Sequence, residues 1–334
     1  MTAPTTHVVD DLQPVTLDEV LTVAGLQARR DRKYLLPAGQ VADVLLDAAA
    51  EVDRLRALDI DGRRQFRYES LYFDTDDHIS YLGAAHRRPQ RFKVRTRTYL
   101  DTSTSMLEVK VRSPRGATVK HRHPYQMADR DRLTADGRAF VASIEPVGEV
   151  VDGLRPALRT TYRRATVLCG DGAARATIDS ALEWRSPAGA GTTLPGLALI
   201  ETKTSGAPCA LDRVLWRHGV RPTTISKYCT GLAALHPELP ANKWHRVLWR
   251  HLERRGAPQP VDDQEVGQLV ERITERIVSR SGLDVAEQTV RAEVHRQFIR
   301  LAERATVHTY LGILTERAVM ARLASDTPAR PPAG

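Results

Sequence analysis

The chain has 334 residues, 42 % of them hydrophobic, and a formal net charge of +8. That length holds a full domain plus a smaller unit, and the composition excludes wholesale disorder. The basic balance points to an anionic partner without naming it, and no apolar run reaches the roughly 18–20 residues of a membrane span.

In chain order, residues 1–25 read as a leader without a basic stretch followed by an apolar one, which gives a cytoplasmic expectation. Gln27 to Leu36, QARRDRKYLL, predicts a strand closed by Pro37. Ala38 to Leu58 predicts an amphipathic helix, with Val41, Val44, Leu45 and Ala48 at helical spacing. From Gln65 to Glu201 strand signals dominate, broken by Gly, Pro and Asp clusters. A helix is expected over Cys209 to His218, then the TTISKY segment around Lys227. A main domain over residues 26–240 would therefore be followed by a basic, Trp-bearing helix and a GAPQPVDD linker in 241–263. Residues 264–324 predict a helical bundle, with Val266, Leu269, Val270, Ile273 and Ile277 on one stripe, and 325–334 a frayed tail.

Four strand segments carry the functional signal. FKVRTRTY alternates Lys93, Arg95 and Arg97 with Phe92, Val94 and Thr96, and MLEVKVR alternates Glu108, Lys110 and Arg112 with Leu107, Val109 and Val111. ARATID places Arg175, Thr177 and Asp179 on one face, and LIETK does the same with Glu201 and Lys203. Side chains on a strand alternate between faces, so each segment has one apolar and one charged face. For one strand alone, a half-buried sheet with a solvated face suffices. Four charged rows, three of which mix a carboxylate with cations, fit something more specific, because bound phosphate wants N–H donors and an accompanying divalent ion wants carboxylate oxygen. The fold class expected is α+β: a closed antiparallel β-tunnel with flanking helices, its charged faces turned to one lumen, plus a small all-α bundle. Only seven of the 49 basic residues are lysine, and six of them, Lys33, Lys93, Lys110, Lys120, Lys203 and Lys227, fall in or beside these segments. A compact ammonium is the expected requirement there.

Between about Arg29 and Leu235 the segments resemble, in order, the VTC domain of polyphosphate polymerases, within the CYTH-like triphosphate tunnel metalloenzymes. The resemblance is carried by RDRKY with Lys33, SLYFDT, FKVRTRTY with Arg95 and Arg97, and LEVK with Glu108 and Lys110. It continues through Lys120 in TVKHR, Tyr162 and Arg164 in TYRR, Arg175 in RATID, Glu201 and Lys203 in IETK, and Ser226 and Lys227 in SKY. It implies that Lys227, Arg95, Arg97 and Arg164 are catalytic. It further implies that Lys33, Lys110, Lys120, Tyr162, Arg175, Lys203 and Ser226 bind phosphate, and that Glu201 and Glu108 hold manganese or magnesium. The implied reaction moves the terminal phosphate of a nucleoside triphosphate, ATP, onto a polyphosphate chain. The alternatives are a tunnel triphosphatase and a non-catalytic polyanion-binding module. Many tunnel hydrolases begin with E-x-E-x-K, whereas Arg29, Asp31 and Lys33 occupy that spacing here, which favours the polymerase-like branch.

The remaining candidates have plainer readings. His121 and His123 form an H-x-H read as hydrogen-bonded surface histidines, and Trp216, Trp244 and Trp249 are read as packing residues rather than base-stacking platforms. No P-loop, GxSxG or HExxH is present, and no nucleic-acid partner is expected. Cys169, Cys209 and Cys229, odd in number and without CxxC spacing, are read as reduced thiols. The C-terminal helices resemble a three-helix dimerisation module of actinobacterial proteins, which implies a homodimer; a cap on the tunnel is the alternative.

Overall fold

The alternating segments become strands of one large antiparallel sheet. The computed structural model describes residues 5–24, 30–51, 55–112, 118–170, 174–252, 263–281, 286–302 and 311–326. The chain divides into two compact units, Met1–Arg254 and Arg255–Gly334.

The first unit opens with α1 (Thr5–Asp11), β1 (Gln13–Val15), α2 (Leu17–Ala24), β2 (Arg30–Pro37), α3 (Gln40–Glu51) and β3 (Arg56–Leu58). It continues with β4 (Phe66–Asp74), α4 (Ile79–Ala85), β5 (Arg91–Tyr99), β6 (Thr104–Arg112), β7 (Thr118–Tyr125), α5 (Ala135–Ala142) and β8 (Arg155–Cys169). It closes with β9 (Ala174–Arg185), β10 (Gly191–Thr193), β11 (Leu197–Thr204), α6 (Ala210–Arg217), α7 (Lys227–Leu235) and α8 (His245–His251).

Strands pair in the order β2-β11-β9-β8-β4-β5-β6-β7, with β1, β3 and β10 attached to its side. The hydrogen-bonded path is open, with β2 and β7 as its ends. Lys33 of β2 and Lys120 of β7 nevertheless line one cavity, so the sheet curls around a lumen whose seam is not a strand ladder. The segment before α7 runs beside that seam. Thr223 N donates to Lys33 O at 2.7 Å, and Lys33 Nζ donates to Ile225 O at 3.3 Å.

Period-2 patterning explains why the charged row faces the lumen. The apolar row faces outward and is covered by helices: Tyr34, Leu36, Ile178 and Ile200 pack with Val41, Val44 and Leu45 of α3 and with Leu211, Val214 and Leu215 of α6. Leu158, Leu182 and Trp184 pack with α4, α7 and α8 residues, and Leu71, Phe73, Val94, Leu107 and Val109 pack with Val141 of α5. Each such aliphatic side chain contributes about 1.5–3 kcal/mol when fully buried, which fixes the register against a one-residue slip.

Two sequence expectations change here. The helix expected over Ala38 to Leu58 ends at Glu51, and Arg56–Leu58 is a strand paired with β1 and β8. Burial of Ala57 and Leu58 between those neighbours overrides the helical pattern. The segment read as a leader carries α1, β1 and α2, with Val9, Leu12, Val15 and Val20 built into the cores.

The second unit holds α9 (Asp263–Ser281), α10 (Glu287–Ala302) and α11 (Leu311–Asp326). Val270, Ile273 and Ile277 pack with Val290, Val294, Val319 and Leu323. The expected linker (apart from Asp263), the N-terminal part of the strand at 27–29 and the tail from 327 lie outside the described residues. Among the described residues, no helix is long and apolar enough to cross a membrane, and all three cysteines are free.

Candidate functional site

One cavity of about 320 Å³ runs through the curled sheet, and eleven cationic side chains line it against three carboxylates, Asp31, Glu108 and Glu201. The strand registers stack these groups across the lumen. Lys93 faces Lys110, which faces Lys120, and one step along Arg95 faces Glu108, which faces Arg122. On the far side Lys33 faces Glu201, and Lys203 stands between Asp31 and Arg175.

Glu108 is fully buried, and cations fill its oxygens. Oε2 accepts from Arg95 Nε at 2.9 Å and Nη2 at 2.5 Å, while Oε1 accepts from Arg122 Nε at 3.0 Å with Lys120 Nζ at 3.5 Å. Burial alone would raise its carboxyl, but Arg95, Arg97 and Lys120 hold it far below the usual carboxylate range. Desolvation lowers the Lys120 ammonium to about 8 despite Glu108. Lys110 is held well below its ordinary value by burial, then by Arg95 and Arg97.

A second anchor is Asp179, which sits behind the lining. Arg164 grips it with Nε at 2.6 Å and Nη2 at 2.8 Å, and Lys227 Nζ bonds the same carboxylate. Burial would raise this carboxyl, yet Arg164 and Lys227 hold it at about 2. Lys227 opens α7, whose N-cap Ser226 accepts from Cys229 N at 3.2 Å and from Lys93 Nζ at 2.9 Å. Trp184 Nε1 donates to Lys227 O at 2.6 Å and its indole packs on Gly231, where a Cβ would come within 2.0 Å of Cδ1. A glycine at that position is therefore what allows the indole to hold Lys227 in place. The neighbouring Tyr228 stacks on Tyr72 at 4.9 Å and donates to Asp74, which also accepts the N–H groups of Thr75, Ser80 and Tyr81. The SLYFDT and SKY segments thus tie α4 and α7 to β4.

Glu201 bonds Lys203 Nζ at 2.7 Å and lies 4.0 Å from Lys33 Nζ, and the same Lys203 ammonium is 3.4 Å from Asp31. Burial would raise Glu201, but Lys33 and Lys203 hold it well below its ordinary value. Among the described residues, no cluster of three or more His, Cys, Asp or Glu side chains is placed to hold a metal. Two carboxylates that share one ammonium, Glu201 and Asp31, still fit a hard divalent ion that takes its other ligands from phosphate and water.

Arg97 is held differently. Its Nη2 donates to Tyr162 Oη at 3.1 Å, its guanidinium lies 5.7 Å from the Tyr68 ring centre, and its Nε has no hydrogen-bond partner among the described residues. Arg97 also lines the cavity, where its guanidinium offers donors to an anion.

Of the residues the sequence pointed to, Lys33, Arg95, Arg97, Glu108, Lys110, Lys120, Arg164, Arg175, Glu201, Lys203, Ser226 and Lys227 all line this cavity. Tyr162 does not: it is buried beneath it, with Arg164 at 5.2 Å and Lys227 at 4.5 Å over its ring, so it supports cations rather than touching the lumen. Sequence reasoning placed Lys93 in the charged row without giving it a role, and passed over Arg122, Tyr68, Tyr72 and Tyr99. Lys93 and Arg122 share strand parity with Arg95 and Lys120, and that parity was the available signal. His123 bonds Asp136 at 2.7 Å, in keeping with a surface histidine.

The VTC domain family model matches residues 28–236. No curated protein matches the chain. Among solved structures, a proposed adenylate cyclase from Vibrio parahaemolyticus is 10% identical, covering 60% of this chain and 95% of its own, at a TM-score of 0.36. A proposed adenylate cyclase from Bacillus halodurans is 11% identical, covering 60% and 94%, at 0.37. A proposed adenylyl cyclase from Hippeastrum, in which triphosphatase activity dominates, is 17% identical, covering 64% and 98%, at 0.38.

Proposed function

This chain belongs to the VTC domain family, and we propose that it transfers the terminal phosphoryl group of ATP to the end of a polyphosphate chain within the basic cavity. The observation that carries this reading is the excess of cations: eleven against three carboxylates in one enclosed space. Like charges gathered at low dielectric repel strongly, so the cavity is matched to a polyanion that bears several negative charges in a row.

Phosphoryl transfer needs alignment and neutralisation of charge on the transferring group more than it needs covalent help from the protein. Lys227 and Arg164, fixed by Asp179, and Arg95, fixed by Glu108, present donors in set positions. Arg97, Lys33, Lys110, Lys120, Arg175, Lys203 and Ser226 line the remaining path for phosphate oxygens. As the oxygen of the terminal phosphate of the chain bonds to the γ-phosphorus, the bond to the β-phosphate oxygen breaks and ADP leaves. Glu108 and Glu201 are both held ionised at low pKa, which makes them poor proton acceptors. Transfer to a phosphate oxygen, which is already anionic, needs no proton acceptor, whereas hydrolysis would have to use a lysine of lowered pKa, Lys110 or Lys120. Glu201, with Asp31 beside it, would hold magnesium or manganese, which when bound neutralises phosphate charge. Glu108 is the counter-ion of Arg95, Arg122 and Lys120, and with its oxygens occupied it is not assigned to metal. The C-terminal unit is proposed to join two copies.

The test incubates purified protein with ATP and manganese and separates products by gel electrophoresis and phosphorus NMR. Phosphoanhydride chains longer than the donor are expected. Free phosphate alone would assign a triphosphatase, and binding without turnover a polyanion-binding module.

A further inference from the structure

The cavity changes character along its length. Where β5 ends and β6 begins, Tyr99 pairs with Tyr68 and Thr104, whereas at the opposite end Arg91 pairs with Arg112. At the Tyr99 end the lining turns apolar: Leu17, Val20 and Leu21 of α2 join Leu58, Tyr68 and Tyr99.

The three α2 residues sit at i, i+3 and i+4 and so share one helix face. Val20 is buried in a cluster with Leu58, Phe66 and Tyr68, which fixes the helix over this end of the sheet. Leu17 and Leu21 remain 44% and 53% exposed, although they border a cavity that is otherwise charged. With Leu58, Tyr68 and Tyr99 they form one apolar stretch of the cavity lining, beside the cations further in. The cavity is therefore amphiphilic, with an apolar and aromatic rim continuous with a cationic interior.

A ligand that complements both parts has a flat, largely apolar head and a polyanionic tail. Inorganic triphosphate and polyphosphate have nothing to place against leucine. We infer that Leu17, Leu21 and Tyr99 seat the nucleoside of a nucleoside triphosphate whose phosphates lie on the cations further in. This rests on the reading of the cavity as a triphosphate site, and it adds a polarity: the base lies at the α2 end and the γ-phosphate points towards Lys93, Lys110 and Ser226. An apolar platform offers no hydrogen-bond readout of base edges, so it separates nucleotides from inorganic triphosphate but not one purine from another.

The experiment measures equilibrium binding of ATP, GTP and inorganic triphosphate, in EDTA to prevent turnover, to the full chain and to its Leu17→Ser/Leu21→Ser variant. ATP and GTP should each weaken about tenfold in the variant while inorganic triphosphate changes by less than about twofold, and that unchanged arm also reports that the variant is folded. Equal weakening of all three ligands would make α2 only a wall of the cavity and overturn the inference, as would unchanged nucleotide binding. If the unmodified chain binds none of the three, the triphosphate reading falls and takes this inference with it. Retained triphosphate binding with no nucleotide effect defeats the inference alone.

Discussion

Replacing Glu108 with glutamine separates the two roles open to that residue. The carboxylate is completely buried between Arg95, Arg122 and Lys120. Glutamine keeps the shape and one acceptor oxygen but removes the charge, and its amide nitrogen then faces guanidinium donors. Taking one partner from a buried ion pair costs about 3–5 kcal/mol. Arg122 and Lys120 are 44% and 31% exposed, so water relieves part of the loss and the lower end, about 3 kcal/mol, applies. For a unit of this size, about 2–4 °C per kcal/mol gives a fall in Tm of about 6–12 °C. A polyanion supplies the missing negative charge, so added triphosphate should raise the Tm of the variant by more than it raises that of the parent. Differential scanning fluorimetry in EDTA, with and without inorganic triphosphate, reads both quantities. A variant whose Tm is unchanged without ligand would refute the counter-ion role and return Glu108 to the metal.

Glu201→Gln should leave the protein folded but abolish manganese-dependent turnover, because it removes a hard oxygen ligand; near-normal activity would disprove the assignment. Binding should also depend on pH through Lys120, which desolvation holds at about 8 in the free cavity. A bound polyanion raises that value, so binding takes up a proton: affinity is full below about pH 8 and declines as pH climbs through it. Titration calorimetry across pH 7–9.5 should show that decline, and Lys120→Arg, which stays charged, should flatten it. Removing residues 255–334 should leave a monomer that still binds triphosphate, whereas the full chain sediments as a dimer; a monomeric full chain would rule out association through the helices.

The tunnel was legible because its signal is local. Alternation in FKVRTRTY and LEVK assigns each side chain to a face without knowledge of its neighbours, and twelve of the thirteen residues singled out line the lumen. Tyr162 escaped because a tyrosine at an inward position can either reach the lumen or lie flat beneath cations. Pattern does not distinguish these; the stacked Tyr68 ring at 5.4 Å does. Asp212 was invisible for a related reason. It gathers Thr202 Oγ1 at 2.6 Å from the strand just before it and Tyr34 Oη at 2.7 Å and Arg32 Nη1 at 3.3 Å from a strand far away in sequence, and no periodicity encodes such a meeting. Arg56–Leu58 was misread because helical spacing continued past the true end of α3, and only strand partners elsewhere in the chain decide the matter.

The chain uses arginine for 42 of its 49 basic residues (49 − 7), yet all six lysines of the tunnel segments line the cavity, and the seventh, Lys243, lines an adjoining pocket with Lys33, Lys93 and Lys110. Geometry alone does not require this, because arginine also binds phosphate, often with two parallel bonds. Proton release does. Arginine stays charged in any protein environment, so eleven guanidinium groups in one lumen would repel each other permanently whenever the lumen was empty. Burial lowers Lys110, Lys120, Lys203 and Lys227 from their ordinary values, and nearby cations act in the same direction: Arg95 and Arg97 on Lys110 and Lys120, Lys33 on Lys203, and Arg164 on Lys227. Such groups shed charge more readily in the free protein and regain it as phosphate enters. Arg95 and Arg164, by contrast, are each held on a buried carboxylate, Glu108 and Asp179, where permanent charge is already balanced. Lys120, Lys203 and Lys227 also touch carboxylates, Glu108, Glu201 and Asp179, so counter-charge alone does not separate the two residue types; arginine fixes permanent charge in the lumen, and lysine supplies charge that can be given up and regained.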